Sequence, residues 1–176
     1  LDPVLLLRLL HLMSVGFMAG ALLTALMVQS LLQRAIEPGD RTSLARTAST
    51  LARIVVNPLA YAGFFSGLVY WYGNFSQRYQ IQGVGRLMKC TPIYVHIMLA
   101  CGFLALGMVQ VWKGRSRKLA DAVEKNAPAT ELRQHATRGW LFGMLGLFFI
   151  GTAYCVAALH LPNKISPACF SDSFHD

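Results

Sequence analysis

The sequence predicts an all-α integral membrane protein, a bundle of four helices, and three observations predict it. Of its 176 residues 55% are hydrophobic and 14% charged, with a mean hydropathy of +0.45, a balance that water-soluble domains rarely carry. The apolar residues fall in four blocks, each close to the ~20 residues that a helix needs to cross the hydrocarbon of a bilayer. The net charge of +8 and the pI near 9.7 come from residues between those blocks rather than from a stripe along one face. They read as topology signals, and they argue against a nucleic-acid partner.

The first block covers residues 3–32 and contains LLLRLLHLMSVGFMAG, Leu5 to Gly20. No cleavage pattern follows it, so it is expected to be a retained helix and not a signal peptide. Gly16 and Gly20 form a small-xxx-small pair that lets another backbone come close. The connection Gln33 to Arg53 carries Arg34, Arg41, Arg46 and Arg53 against Glu37 and Asp40, and its Glu-Pro-Gly-Asp run predicts a break and a turn. In the second block, residues 51–72, Pro58 predicts a kink because it cannot donate a backbone hydrogen bond. Asn57 is expected to satisfy a freed group there. Tyr70, Trp71 and Tyr72 mark where this helix leaves the hydrocarbon.

The third block, residues 91–112, opens with Thr91 as a hydroxyl cap and Pro92 in the first turn. The connection after it, Lys113 to Arg138, is the longest and most charged, and Arg117 to Glu124 reads as a helical extension in water. The fourth block, residues 139–161, has Gly139, Gly143 and Gly146 along its first half and His160 in its last turn. Residues 162–176 form a polar C-terminal tail. The first and third connections hold eleven Lys or Arg, counting Arg53 and Arg138, and the rest of the chain five. That asymmetry predicts those two connections on the cytoplasmic side and both termini outward.

With this topology His11 lies in the outward half of the first span, and His96 and Met98 lie in the same leaflet on the third. An ionisable side chain in hydrocarbon needs a partner, which makes His11 either a ligand or a histidine bonded to a neighbouring helix. Imidazole nitrogen and thioether sulfur from two helices at one depth are what a b-type haem needs in a bundle. The spacing is permissive, since His96 also suits an interfacial ring and Met98 ordinary packing. His135 and His175 are expected in water.

The run RLLHLMSVGFMAGALL resembles the first helix of the small four-helix membrane proteins grouped around the HemJ-type protoporphyrinogen oxidase and the CopD-like copper proteins. His11 and Phe17 to Gly20 take the places of the histidine and the aromatic-x-small-Gly of those helices. Tyr94-Val95-His96-Ile97-Met98 is similar to the HemJ pattern Trp-Leu-His-x-Lys, with Met98 where that family has a lysine. The resemblance implies a haem b cofactor on His11, with Met98 or alternatively His96 on the iron, and a redox or HemJ-like role.

The expectation from another class is a non-catalytic accessory or assembly subunit of a larger respiratory or photosynthetic membrane complex. Expected partners are the bilayer, other membrane subunits or further copies of the chain. No phosphate loop, nucleophile triad, paired carboxylates or CxxC motif occurs, and no span holds an Asp or Glu of the kind proton pumps use. Cys101 and Cys155 lie in spans and are expected to be small buried hydrophobes. Cys90 and Cys169 fall on the outward face, in an oxidising compartment if this is a bacterial inner membrane. Either they are free thiols or they form a disulfide, which would contribute about 2–4 kcal/mol by closing a long loop.

Overall fold

The structure, a computed structural model, describes residues 3–34, 38–79, 84–85, 88 and 91–159. Its helices are α1 (Pro3–Arg34), α2 (Pro38–Leu51), a π-helical turn (Ala52–Val56), α3 (Asn57–Tyr79), α4 (Ile93–Glu124) and α5 (Ala129–Ala158). The protein is an all-α four-helix bundle with four helices long and apolar enough to cross a membrane, the second being the continuous α2–π–α3 rod. Around the bundle α1 meets α3, α3 meets α4, α4 meets α5, and α5 returns to α1. That order leaves α1 and α4 on one diagonal.

The helices outrun the apolar blocks. α4 has 32 residues, about 48 Å at 1.5 Å per residue, against a hydrocarbon thickness of about 30 Å. Counting ~20 residues from Ile93, near the Trp71 belt, brings the far edge of the hydrocarbon to Lys113. Arg53 and Arg138 mark the same level on their own helices. Residues expected to be two polar connections are therefore mostly helix: α2 occupies most of 33–53, and α4 and α5 continue until only 125–128 separates them. The helical extension over Arg117–Glu124 is part of α4.

Two cores follow from this. Inside the membrane span Leu22, Leu26, Val56, Val109 and Trp112 pack with Ala25, Ala52 and Ala105. Lipid is as apolar as these side chains, so shape and close backbone approach hold this part together. Beyond Lys113 a second cluster of Leu32, Ala45, Leu119, Val123 and Ala136 is buried in what the hydropathy marks as water, where apolar burial does drive association. Small alanines let α2 lie against α1 and α4 there.

Local corrections have physical reasons. At Pro58 the helix does not simply kink; the turn before it widens to i→i+5 hydrogen bonding over Ala52–Val56. Buried positions 48, 52, 56 and 60 recur every four residues, and each such step overshoots a regular α-turn by about 40°. The wider turn absorbs that drift. Asn57 does not bond locally: its Oδ1 accepts from Gln110 Nε2 at 2.8 Å and Lys113 Nζ at 3.0 Å. Thr91 does not cap α4, whose N-cap is Pro92; its hydroxyl accepts from Trp71 Nε1 at 3.2 Å, tying the aromatic belt to the start of α4. α4 ends with Asn126 at φ 51, where Ala127 N–H reaches Ala122 O and Asn126 N–H reaches Val123 O. This is a Schellman stop with asparagine in the left-handed position, and Pro128 seals it.

Candidate functional site

His11 stands at the head of the buried stripe of α1, one turn before Ser14 and two before Met18. From there α1 descends through Leu22, Ala25 and Gln29, all at core positions. Opposite, α3 presents Gly63 and Gly67, one turn apart. A β-carbon at Gly63 would lie 2.9 Å from Val15 Cγ2, and one at Gly67 would lie 2.7 Å from His11 Cε1. The two glycines therefore form the slot into which the imidazole and Val15 fit, the close approach that small-xxx-small spacing allows. At the bottom of the slot His11 Nδ1 is 2.7 Å from the Gly63 carbonyl oxygen. A carbonyl only accepts, so Nδ1 carries the proton and donates. The one hydrogen of the Ser66 hydroxyl is shared between Ala62 O at 2.5 Å and the same Gly63 oxygen at 3.1 Å, which stiffens this turn of α3.

Fixing the proton on Nδ1 leaves Nε2 as a lone pair. Nε2 has no hydrogen-bond partner among the described residues, and it is not among the buried unsatisfied atoms. Some of its surface is accessible.

The other sequence-predicted residues sit differently. His96 is half-buried and its Nε2 lies 3.0 Å from Met88 O, so its visible bond runs back toward the segment before α4. Met98 is half-buried on α4. The Trp71 to Thr91 bond and the approach of Gly102 to Phe64 put Met98 and Gly67 at similar depth. His11 and Met98 thus occupy one level on diagonal helices, with His11 engaged to α3. Among the described residues no group of three His, Cys, Asp or Glu could hold a metal ion.

His135, expected in water, is tucked in: its Nδ1 is buried without a partner and its Nε2 is 3.7 Å from Glu131. Cys101 is buried as expected, whereas Cys155 is on the exposed, lipid-facing side of α5. Cys90, Cys169, His160 and His175, and with them the Cys90–Cys169 pairing, lie outside the described residues.

Two features were not singled out in the sequence. Gly63 and Gly67 carry the same spacing as Gly16 and Gly20, yet it is the Gly63–Gly67 pair that takes the histidine; a β-carbon at Gly16 or Gly20 would meet no atom of the described residues within 4 Å. A buried polar knot also spans the bundle below the site. Gln29, 1% exposed, accepts from Trp112 Nε1 at 3.3 Å and donates to Ala136 O at 3.2 Å. Gly139 makes room for it, since a β-carbon there would lie 2.7 Å from Gln29 Nε2. A half-open cavity of about 430 Å³ lies at the basic end, lined by residues including Leu32, Arg41, Leu119 and Arg133, away from His11. Compared with protein-family models, curated proteins and solved structures, the chain finds no match in any of the three.

Proposed function

We propose that the chain binds a b-type haem through His11 Nε2, in a redox role of the HemJ kind. What carries the reading is the His11 Nδ1 to Gly63 carbonyl bond of 2.7 Å. Histidines that hold metals commonly donate the other ring nitrogen to a carbonyl or carboxylate, which fixes the tautomer and makes the ligating nitrogen more basic. Here that partner is a backbone oxygen inside the membrane, and the remaining nitrogen is partly accessible. Met98, or His96 in its place, would supply the second ligand from the diagonal helix at the same depth; methionine and histidine both serve as axial ligands. When bound, haem supplies one-electron chemistry, and the residues of this chain hold it and set its orientation. On the reading that the two positive connections are cytoplasmic, this site lies in the outward half of a bacterial inner membrane, with both termini outward.

The test is the absorption spectrum of the purified chain with haem supplied. A Soret band that shifts on reduction in the wild type and is absent in His11→Ala supports the assignment; a band of equal strength in both refutes it. A second reading, an accessory subunit of a larger membrane complex, is favoured by one observation: Gly16 and Gly20 are exposed, and a β-carbon at either would meet no described residue within 4 Å. An intermolecular cross-link from a cysteine at position 16 in native membranes, absent for the purified chain, is the result that reading expects.

A further inference from the structure

At the basic end of the span the Asn57 amide oxygen receives two donors, Gln110 Nε2 at 2.8 Å and Lys113 Nζ at 3.0 Å. Asn57, Gln110 and Lys113 are each half-buried between α3 and α4. An ammonium has three hydrogens to donate, and an amide oxygen is neutral. Among the described residues no carboxylate lies within ion-pair distance of Lys113. A charge drawn partly out of water without a counter-charge is costly, so this arrangement calls for an anion.

Three observations say which anion. The first is depth: Lys113 stands at the edge of the hydrocarbon, and lipid phosphates lie just beyond that edge. The second is charge, since Arg53, exposed and one turn before Asn57, adds a guanidinium at the same level on the neighbouring helix. The third is the surface around it. α3 and α4 pack less closely than α4 and α5 do, and on the membrane side of the polar cluster Tyr61, one turn after Asn57, and Phe103, two turns before Gln110, are exposed by 40% and 59%. Open apolar side chains on the membrane side of a basic cleft suit acyl chains beneath a headgroup. Basic pockets between transmembrane helices at an anionic leaflet hold such headgroups.

We propose that the cleft between α3 and α4 binds one anionic phospholipid, its phosphate accepting from Lys113 and Arg53 and its chains lying along Tyr61 and Phe103. The site is separate from His11 and rests only on the membrane-spanning character of the bundle.

Native mass spectrometry of the full chain, loaded with phosphatidylglycerol or phosphatidylcholine of identical acyl chains, tests it. The wild type retains one phosphatidylglycerol in preference to phosphatidylcholine. Lys113→Gln lowers that preference about fivefold to tenfold, the worth of one basic side chain at an anionic surface, and Lys113→Arg keeps it. Arg133→Gln removes the same charge away from the cleft and leaves retention unchanged. Equal retention of the two lipids by the wild type overturns the proposal without recourse to any variant. So does an undiminished preference in a folded Lys113→Gln protein, or an equal loss in Arg133→Gln, which would reduce the effect to net charge. Displacement of the lipid by millimolar inorganic phosphate would show a site for a free anion instead, and overturns the lipid assignment.

Discussion

Gly67→Ala places a methyl group where the His11 ring already is, 2.7 Å from Cε1 and 2.9 Å from Nδ1. Carbon atoms settle at about 3.5–4.0 Å, so the ring must retreat by close to ~1 Å. It has no slack for this, because Nδ1 is held at 2.7 Å from the Gly63 carbonyl. Losing that bond costs about 1 kcal/mol, and forcing a side chain into a filled site costs about 1–3 kcal/mol. Alanine returns about 0.5–1 kcal/mol through its higher helix propensity. The net is a destabilisation of about 1–3 kcal/mol, a fall of roughly 3–10 °C in thermal midpoint at the 2–4 °C per kcal/mol expected for a chain of this size. The assay is a thermal melt in detergent followed by tryptophan fluorescence, run in a double-mutant cycle with His11→Ala. Once the ring is gone, Gly67→Ala should be neutral or stabilising, so the two effects are strongly non-additive. Equal destabilisation by Gly67→Ala in both backgrounds would refute the slot as the place where the histidine is held.

Haem binding should survive His135→Ala and His175→Ala, and an absorption spectrum checks this beside the His11→Ala loss. Met98→Lys is expected to keep both fold and haem if the site is of the HemJ kind; failure to fold, seen by size-exclusion chromatography, would assign Met98 to packing. Gln29→Leu strands the Trp112 N–H, while the Ala136 carbonyl keeps its bond within α5, and should cost about 1–3 kcal/mol in the same melt; an unchanged midpoint would show that the knot is dispensable. Arg46 and Glu124 pair at 2.8 Å with side chains 68% and 46% exposed, so Arg46→Ala should shift stability by less than about 1 kcal/mol. Thiol labelling of unfolded protein without reductant should modify two cysteines if Cys90 and Cys169 are bridged, and four if they are not.

The spans were legible because hydropathy reports what lies in hydrocarbon. It does not report where a helix stops, and that is why the extensions were less so. α2 is polar on average, and what holds it is a pair of buried alanines, Ala45 and Ala48, whose smallness leaves little trace in a hydropathy profile. His135 sits among charges and reads as wet, yet tertiary packing of α5 covers it. At the candidate site the histidine was visible and its holder was not. Gly16–Gly20 and Gly63–Gly67 have identical spacing, and in a span whose lipid face is as apolar as its inner face nothing local says which pair will meet a neighbour. The stop at Asn126 was not singled out, although asparagine followed closely by Pro128 is a residue pattern that helix ends favour.

The single rod running through α2, the π turn and α3 has a consequence for how the two ends of the molecule are related. Its water-side half keeps Ala45 and Ala48 against the bundle, and its membrane half keeps Gly63 turned to α1. The wide turn at Ala52–Val56 is the gear between those halves, setting their relative phase. Tightening that turn to an ordinary i→i+4 ladder with the same residues would rotate one half against the other by about 100°, the angle of the one extra residue the wide turn takes up. Only one face could then stay inward: either α2 leaves its seat on the basic end or the glycine slot turns away from His11. Where α2 docks and how the imidazole is gripped are therefore fixed by the same five residues.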